Sequence, residues 1–215
     1  MGVLSLVAEY MFPQLCVACK KEGTSVCGTC LDLVSTVGTF FYPKNSSLAY
    51  LAAVGEYDET GVLSQIIQAL KYSYIEQVEH AIAQLIGDWF ARQDRTFEVP
   101  DLIVPVPLHR QRYAERGFNQ ADVIANCLAR VIDVPQAEPL MRKKKTKQQA
   151  KLDKTARLQN VSDAFVIRKG AQVDGKHILV VDDVYTTGAT MGECAEILHR
   201  AGASRVTGFV LAKGE

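Results

Sequence analysis

The order of apolar and polar positions along the chain predicts helices alternating with strands. Apolar residues that recur three and four positions apart are typical of amphipathic helices, and uninterrupted apolar runs bounded by turn residues are typical of buried strands. The predicted helices are Val62–Tyr72, Ile75–Ala91 and Gln120–Ile132. The predicted strands are residues 48–57, 101–107, 163–167, 178–181 and 205–211. This alternation indicates an α/β domain.

Each predicted helix has one apolar face that is expected to lie in the core. Cys127 and Cys194 also fall in amphipathic helical patterns, so both are expected as small core residues. The residues expected to point inward from the three helices are Leu63, Ile66, Ile67, Leu70, Val78, Ile82, Leu85, Ile86, Trp89, Val123, Ile124, Cys127, Leu128 and Val131.

Composition limits the class of protein without identifying it. The chain has 215 residues, of which 48% are hydrophobic and 22% charged, enough for one α/β domain and a small appendage. Its formal net charge is zero, so any contact with nucleic acid or a membrane must be local. No apolar run is long enough to predict a membrane-spanning helix. Residues 1–11 lack the basic start of a secretory signal and favour a short helix, so we expect a cytoplasmic protein without membrane insertion.

Four cysteines near the start of the chain form two Cys-x-x-Cys pairs. They are Cys16, Cys19, Cys27 and Cys30. Four thiolates at this spacing can close a tetrahedral Zn²⁺ site, with Gly23 and Gly28 permitting tight turns. A structural zinc is favoured over disulfides, which a cytosolic chain disfavours, and over a redox pair, which usually occurs singly. Residues 31–48 are predicted to be a linker or hairpin, so we place a zinc-ribbon module and linker at 1–47.

The strongest functional signal is the stretch 178–190. Its apolar run ends in Asp182 and Asp183, at the carboxyl end of a predicted strand, where open α/β sheets bind ligands. A loop of small and hydroxyl residues follows and leads into an amphipathic segment, 191–201, with Gly202 as the expected stop. The loop residues are Thr186, Thr187, Gly188, Ala189 and Thr190. Free backbone N–H groups at the start of a helix suit a phosphate.

The paired carboxylates predict the other half of the ligand. Two acids beside a phosphate loop would repel the phosphate unless they face vicinal sugar hydroxyls, with or without Mg²⁺. The implied ligand is a sugar phosphate with a free diol. The alternative interpretation is an ordinary buried strand followed by a helix cap.

A second candidate stretch follows the strand predicted at 101–107, which Pro105 and Pro107 end because proline cannot continue a central ladder. Three arginines cluster just beyond it, on the ligand side of the sheet, where guanidinium groups can bind phosphate or pyrophosphate bidentately. They are Arg110, Arg112 and Arg116. The alternative is a solvated loop containing a few arginines.

The densest charge run is residues 141–149, whose cations repel one another. Three interpretations stay open: a solvated surface, a mobile flap that orders over an anionic ligand, and a local nucleic-acid contact. Residues 152–160 are predicted to be a short helix. Lys71, at the end of a predicted helix, is either a solvated helix-end charge or a phosphate contact.

Taken together, these residues resemble the ComF family, the competence-associated phosphoribosyltransferase-like proteins that include GntX-like members. The resemblance covers essentially the whole chain. Arg-Gly-Phe-Asn-Gln at 116–120 combined with the cysteine pairs is specific to the family, whereas the 13-residue phosphoribosyl-pyrophosphate motif at 178–190 identifies only the superfamily. Further matching residues are Tyr57, Leu70, Lys71, Tyr72, Pro105, Val106, Pro107, Thr146, Gln149, Leu152, Arg157, Asn160, Ala164 and Phe165.

The resemblance implies a type I phosphoribosyltransferase fold, a parallel sheet flanked by helices, over residues 48–215. Asp182 and Asp183 would be the catalytic acids and hold the ribose hydroxyls, with Mg²⁺ accompanying phosphoribosyl pyrophosphate. The loop 186–190 would cradle the 5′-phosphate, and residues 142–160 would form a flexible flap. The pyrophosphate side would consist of Pro105, Val106, Arg112 and Arg116.

The resemblance also implies a role in DNA uptake, acting on imported single-stranded DNA together with DNA-processing proteins. Two alternatives stay open: a phosphoribosyltransferase with an unidentified acceptor unrelated to competence, and a non-catalytic nucleotide-sugar sensor or DNA-binding module. An intact binding motif does not by itself establish turnover, so enzymatic activity is left open.

Overall fold

A computed structural model describes residues 13–34, 39–44, 46–72, 75–92, 97–143 and 164–214 of the chain. Its helices are α1 Gly28–Asp32, α2 Val62–Tyr72, α3 Ile75–Ala91, α4 Arg110–Arg116, α5 Gln120–Ile132 and α6 Ala189–Arg200. Its strands are β1 Thr39–Phe41, β2 Leu51–Glu56, β3 Leu102–Pro105, β4 Leu140–Arg142, β5 Phe165–Ile167, β6 His177–Tyr185 and β7 Arg205–Lys213. Within this described part, no helix has the length and apolarity needed to cross a bilayer.

The main sheet has five strands in the order β1-β2-β7-β6-β3. Four of them run parallel and β1 pairs antiparallel to β2 at one edge. The carboxyl ends of β3 and β6 are therefore neighbours, with Pro105 opposite Val181. A separate antiparallel pair, β4 with β5, stands beside this sheet.

Strand β6, between β7 and β3, is buried on both faces because helices cover both sides of the sheet. Leu179 and Val181 belong to one core cluster, which also contains residues of α2, α3, α5 and the cysteine segment. Ile178 and Val180 belong to the opposite cluster, against α6 and the β4–β5 pair. Since successive strand residues point to opposite faces, this alternation also determines which way the next two residues point.

The apolar faces confirm most of the predicted helical core. The bounds of α2, α3 and α5 match the prediction, and Cys127 and Cys194 are fully buried. Trp89 is also fully buried, and its indole Nε1 donates to the backbone oxygen of Ala53 at 2.9 Å. Val131 is an exception: it is 40% exposed, so its predicted inward position was wrong. It lies in the last turn of α5, whose buried residues lie between Gln120 and Leu128.

Two stretches for which no helix or strand was predicted contain regular structure. Part of the predicted linker at 31–48 forms β1, which extends the sheet by pairing with β2. The basic stretch after β3 forms α4, a helix with no buried residue. Its ends define it: the His109 ring accepts from the amide of Gln111, and Gly117 closes it with φ of +81°. Such a helix has no apolar periodicity for a sequence pattern to detect.

Other boundaries differ by a few residues. β6 continues through the acids to Tyr185, and α6 begins at Ala189, inside the predicted phosphate loop. The helices predicted within 1–11 and at 152–160, and most of the flap at 142–160, lie outside the described residues. The boundary between residues 47 and 48 stays a prediction.

Candidate phosphoribosyl-pyrophosphate site

Two loops meet at the carboxyl edge of the sheet because β3 and β6 are adjacent. The amide of Val106 donates to the backbone oxygen of Val181 at 2.8 Å, which continues the pairing past Pro105. The chain turns away after Pro105, while β6 continues to the acids and the loop 186–190. This edge is where ligands bind in open parallel sheets.

The loop 186–190 is built around Gly188, the N-cap residue of α6. Gly188 has φ of +76°, a conformation that L side chains rarely adopt, and a Cβ there would lie 2.2 Å from Oη of Tyr185. The surrounding depression, lined by loop residues and Asp182, holds about 20 Å³. It leaves the first amides of α6 at the rim of a shallow surface, which is the arrangement that favours an anion.

Asp182 and Asp183 point to opposite faces of β6. Asp183 faces α2, where its Oδ2 lies 2.7 Å from Nζ of Lys71. Asp182 lies on the side of α6 and the β4–β5 pair, as strand alternation requires. Of the two interpretations left open for Lys71, neither describes this contact: Lys71 holds a carboxylate of the site.

The two acids also differ in their electrostatics. Burial and repulsion from Asp183 raise the pKa of Asp182 to about 8, although the amide of Asp183 donates to Asp182 Oδ1 at 2.9 Å. For Lys71, burial lowers the pKa, but the ion pair with Asp183 outweighs burial and raises it overall. Lys71 therefore stays charged beside Asp183, while the proton of Asp182 can leave near neutral pH.

Asn119 fixes the loop that follows β3. Its Nδ2 donates to the backbone oxygen of Val106 and to Oδ1 of Asp122, both at 3.0 Å, and its Oδ1 accepts from the amide of Ala121. One buried side chain thus joins the turn after β3 to the first turn of α5. Sequence reasoning identified Asn119 only as part of the Arg-Gly-Phe-Asn-Gln motif and missed this role.

The arginines predicted to bind phosphate or pyrophosphate lie on α4. Arg112 and Arg116 are half-buried, whereas Arg110 is exposed. Burial, together with repulsion from Arg116, lowers the pKa of Arg112. Two guanidinium groups close enough to repel each other create a positive potential at this side of the edge, which attracts an anion.

Arg142 is a charged residue of this region that the sequence analysis placed only in the basic run and at the start of the flap. It lies in β4 and is buried, with its guanidinium carbon 5.1 Å above the ring of Phe165. Burial and the charge of Arg112 lower its pKa, while Asp182 raises it. The sequence does not distinguish Arg142 from the rest of the basic run, whereas in the structure the next residue, Lys143, is exposed.

The base of the predicted flap is tied to the helix that follows the phosphate loop. The amide of Lys143 donates to the backbone oxygen of Ala164 at 2.7 Å, which closes the base. The amide of Ala164 in turn donates to Oε1 of Glu193 on α6 at 2.8 Å. Residues 144–163, between these ends, lie outside the described residues.

The four predicted zinc ligands lie together. Their sulfur atoms are all within 4.8 Å of one another, and those of Cys19 and Cys27 are 3.6 Å apart. Zn–S bonds of about 2.3 Å in a tetrahedron imply sulfur separations of roughly 3.8 Å, so the cluster fits a zinc ion. The amide of Cys27 points at the sulfur of Cys16 at 3.4 Å, as expected around a bound thiolate.

The backbone of this segment shows which turn needs a glycine. Gly23 has φ of +111°, as its predicted turn requires, but Gly28 opens α1 with no positive φ. Cys16 and Cys30 are buried in the same cluster as β6 and α3, so the metal segment packs directly on the domain.

Comparisons with known proteins agree with this architecture. A family model for the phosphoribosyl transferase domain matches residues 75–215. DNA utilization protein YhgH of Escherichia coli K12 is 33% identical over 205 residues, covering 93% of this chain and 84% of that protein. Competence protein F of Haemophilus influenzae is 28% identical over 208 residues, covering 93% and 90%. A glutamine phosphoribosylpyrophosphate amidotransferase from B. subtilis aligns with a TM-score of 0.44 and 21% identity, over 67% of this chain and 30% of that one.

The match to the family model establishes a type I phosphoribosyltransferase fold, a mostly parallel sheet with helices on both sides. The four clustered cysteines are compatible with a zinc ribbon. The chain belongs to the ComF family of phosphoribosyltransferase-domain proteins, as its motifs predicted.

Proposed function

We propose that this protein binds phosphoribosyl pyrophosphate with Mg²⁺ and acts in DNA uptake, on imported single-stranded DNA. The observation that carries the proposal is the meeting, at one sheet edge, of a phosphate loop, two acids and a cationic side. Names of relatives that concern DNA utilization and competence support the biological setting. The protein would work in the cytoplasm, beside DNA-processing proteins.

Each part of the edge takes one part of the ligand. The amides and hydroxyls of Thr186, Thr187, Gly188, Ala189 and Thr190 would hold the 5′-phosphate. Asp182 and Asp183 would accept hydrogen bonds from the ribose hydroxyls, with Lys71 keeping Asp183 oriented. The backbone of Pro105 and Val106, held by Asn119, would face the pyrophosphate, with Arg112 and Arg116 supplying positive charge.

Such a site acts mainly by position and electrostatics. Mg²⁺ would neutralise charge on the pyrophosphate as it leaves. The protein's own groups would orient the ribose and stabilise the charge that develops during departure, so no nucleophilic side chain is needed. Asp182 can release its proton near neutral pH, and its carboxylate can then accept a hydrogen bond from a ligand hydroxyl. The intact acids therefore also favour transfer to an acceptor, which a pyrophosphate-release assay would detect.

The four cysteines would hold one structural zinc ion with no open coordination position. On this proposal residues 1–47 form the metal module and its linker, and residues 48–215 form the phosphoribosyltransferase domain. The zinc would replace the hydrophobic core that so short a segment cannot build.

Calorimetric titration of phosphoribosyl pyrophosphate with Mg²⁺ into the wild type and an Asp182→Asn/Asp183→Asn variant tests the site. We expect binding in the wild type and its loss in the double variant, because both oxygen pairs that accept from the diol are weakened. Asp88→Asn, which changes a carboxylate of α3 outside the site, is the matched control and should bind normally. Absence of binding to the wild type would reject the ligand, and normal binding by the double variant would reject the site.

A further inference from the structure

A second cleft lies beside this site, on the outer side of β3. It holds about 440 Å³ and lies between the turn after β3, helix α4 and the β4–β5 pair. This volume is within the range of small-molecule sites. Of its lining residues, Pro105 and Asn119 also have roles in the proposed phosphoribosyl site. It adjoins the proposed site because Pro105 and Arg142 line it, and both lie next to β6 or its acids.

One side of the cleft is apolar and suited to a flat ring. Tyr113 of α4 lines the cleft and is 50% exposed. A half-exposed aromatic ring facing prolines and long apolar side chains offers a surface on which a planar ring can stack. The apolar residues of this side are Pro105, Pro107, Leu108, Ala114, Leu140 and Met141.

The other side is polar, with an excess of positive charge. Three arginines and two acids line it: Arg110, Arg142, Arg168, Asp122 and Glu138. Arg168 is held in place, donating to Glu138 at 3.0 Å and to the backbone oxygen of Leu140 at 3.2 Å. One oxygen of Asp122 accepts from Asn119; the other takes no hydrogen bond from the residues that the structure describes.

The geometry points to a nucleotide-binding cleft: a base would stack at Tyr113 with its polar edge toward Asp122, and a phosphate would lie toward the arginines. A base edge offers amino and imino donors for a carboxylate, and the arginine excess matches one phosphate. An apolar ligand would bring no negative charge to the polar side, and an inorganic anion would leave the apolar side unused. The occupant is either a free nucleotide or a nucleotide of a single strand.

This inference depends on the proposed function only for its biological meaning, since the cleft would hold the nucleic acid beside the phosphoribosyl site. Its test must therefore use ligands that the phosphoribosyl site cannot hold. The 2′-deoxynucleoside 3′-monophosphates suit this purpose, because they lack both a vicinal diol and a 5′-phosphate. Inorganic phosphate, the four deoxynucleosides and a short oligodeoxynucleotide complete the set of probes.

Calorimetry on the full chain compares the wild type with two cleft variants and their controls. Ala114→Trp fills the cleft from an exposed position on α4, and Ala91→Trp makes the same change at an exposed position of α3. Tyr113→Ala removes the stacking ring, and Tyr42→Ala removes an exposed tyrosine elsewhere. We expect both cleft variants to weaken nucleotide binding at least about fivefold, the lower end for loss of a stacked base. Both controls should bind as the wild type does.

If Ala114→Trp weakens binding of the oligonucleotide, the natural occupant of the cleft is a nucleotide within a single strand. If it weakens binding of the mononucleotides alone, the occupant is a free nucleotide. The inference is overturned if none of the nucleotide probes binds, if Ala114→Trp leaves their affinity unchanged, or if phosphate or the nucleosides bind as tightly as the nucleotides. It is also overturned if Ala114→Trp abolishes binding of phosphoribosyl pyrophosphate, since the cleft would then belong to that site. Nucleotide binding without phosphoribosyl-pyrophosphate binding would reject the proposed function and leave the cleft standing.

Discussion

Replacing Gly188 by alanine tests how closely the phosphate loop packs on Tyr185. Gly188 and Gly117 share the left-handed conformation, with φ of +76° and +81°. Their surroundings differ: a Cβ on Gly188 would lie 2.2 Å from Oη and 2.6 Å from Cζ of Tyr185, whereas nothing lies within 4 Å of a Cβ on Gly117. Gly117→Ala therefore measures backbone strain alone, and Gly188→Ala adds a steric clash.

The two contributions can be estimated separately. The left-handed conformation costs an L residue roughly 1–2 kcal/mol. Tyr185 is 7% exposed and packs edge-on against Phe41, with centroids 6.2 Å apart, so its ring cannot move freely. Forcing extra atoms into such a packed region typically costs about 1–3 kcal/mol. We expect Gly117→Ala to lower the free energy of unfolding by about 1–2 kcal/mol and Gly188→Ala by about 2–5 kcal/mol.

Urea denaturation measures both values, and a double-mutant cycle identifies the clash. In a Tyr185→Ala background, Gly188→Ala should cost only the strain, close to the value for Gly117→Ala. A Tyr185→Phe background should give much less relief, because the ring carbons stay. Equal costs for the two glycines, or no coupling between positions 185 and 188, would refute the packing argument.

Three further predictions follow from the site and the metal segment. Because the pKa of Asp182 is raised to about 8, binding of phosphoribosyl pyrophosphate at pH 7 should release roughly 0.9 proton more in the wild type than in Asp182→Asn, and affinity should rise with pH up to about 8. Calorimetry in buffers of different ionisation enthalpy measures the number of protons released. Equal release by the two proteins would contradict the prediction. Asn119→Ala should weaken phosphoribosyl-pyrophosphate binding and lower the free energy of unfolding by about 2 kcal/mol, since the buried backbone oxygen of Val106 loses its donor. An unchanged urea midpoint and unchanged affinity would show that Asn119 does not hold this loop. Metal analysis should find about one zinc ion per chain. The zinc should be lost in Cys16→Ser but kept in Cys127→Ser, because Cys127 is a buried cysteine outside the cluster. Zinc retained by both variants would reject the site.

The raised pKa of Asp182 also makes the stability of the protein depend on pH. A raised carboxyl pKa in the folded state means that the folded protein binds the proton more tightly than the unfolded chain does. The contribution of Asp182 to the stability of the unliganded protein is therefore present at low pH and is lost as pH rises from the ordinary aspartate value through about 8. Asp182→Asn should remove that dependence.

The sequence alone determined the features that depend on residues close together in the chain. Helical periodicity predicted α2, α3 and α5 to the residue, because each has an apolar face. The loop 186–190 and the cysteine pairs were visible because their ligands come from one short stretch. The family resemblance followed from the same local motifs.

The tertiary structure alone decided the relations between distant residues. It placed Lys71 on Asp183 and set the two acids on opposite faces of β6, since the covering of each face depends on which helices pack there. It buried Arg142 while leaving Lys143 exposed, although both begin the same basic run. No short-range pattern records such contacts, because they arise only when strands far apart in the sequence become neighbours in the sheet.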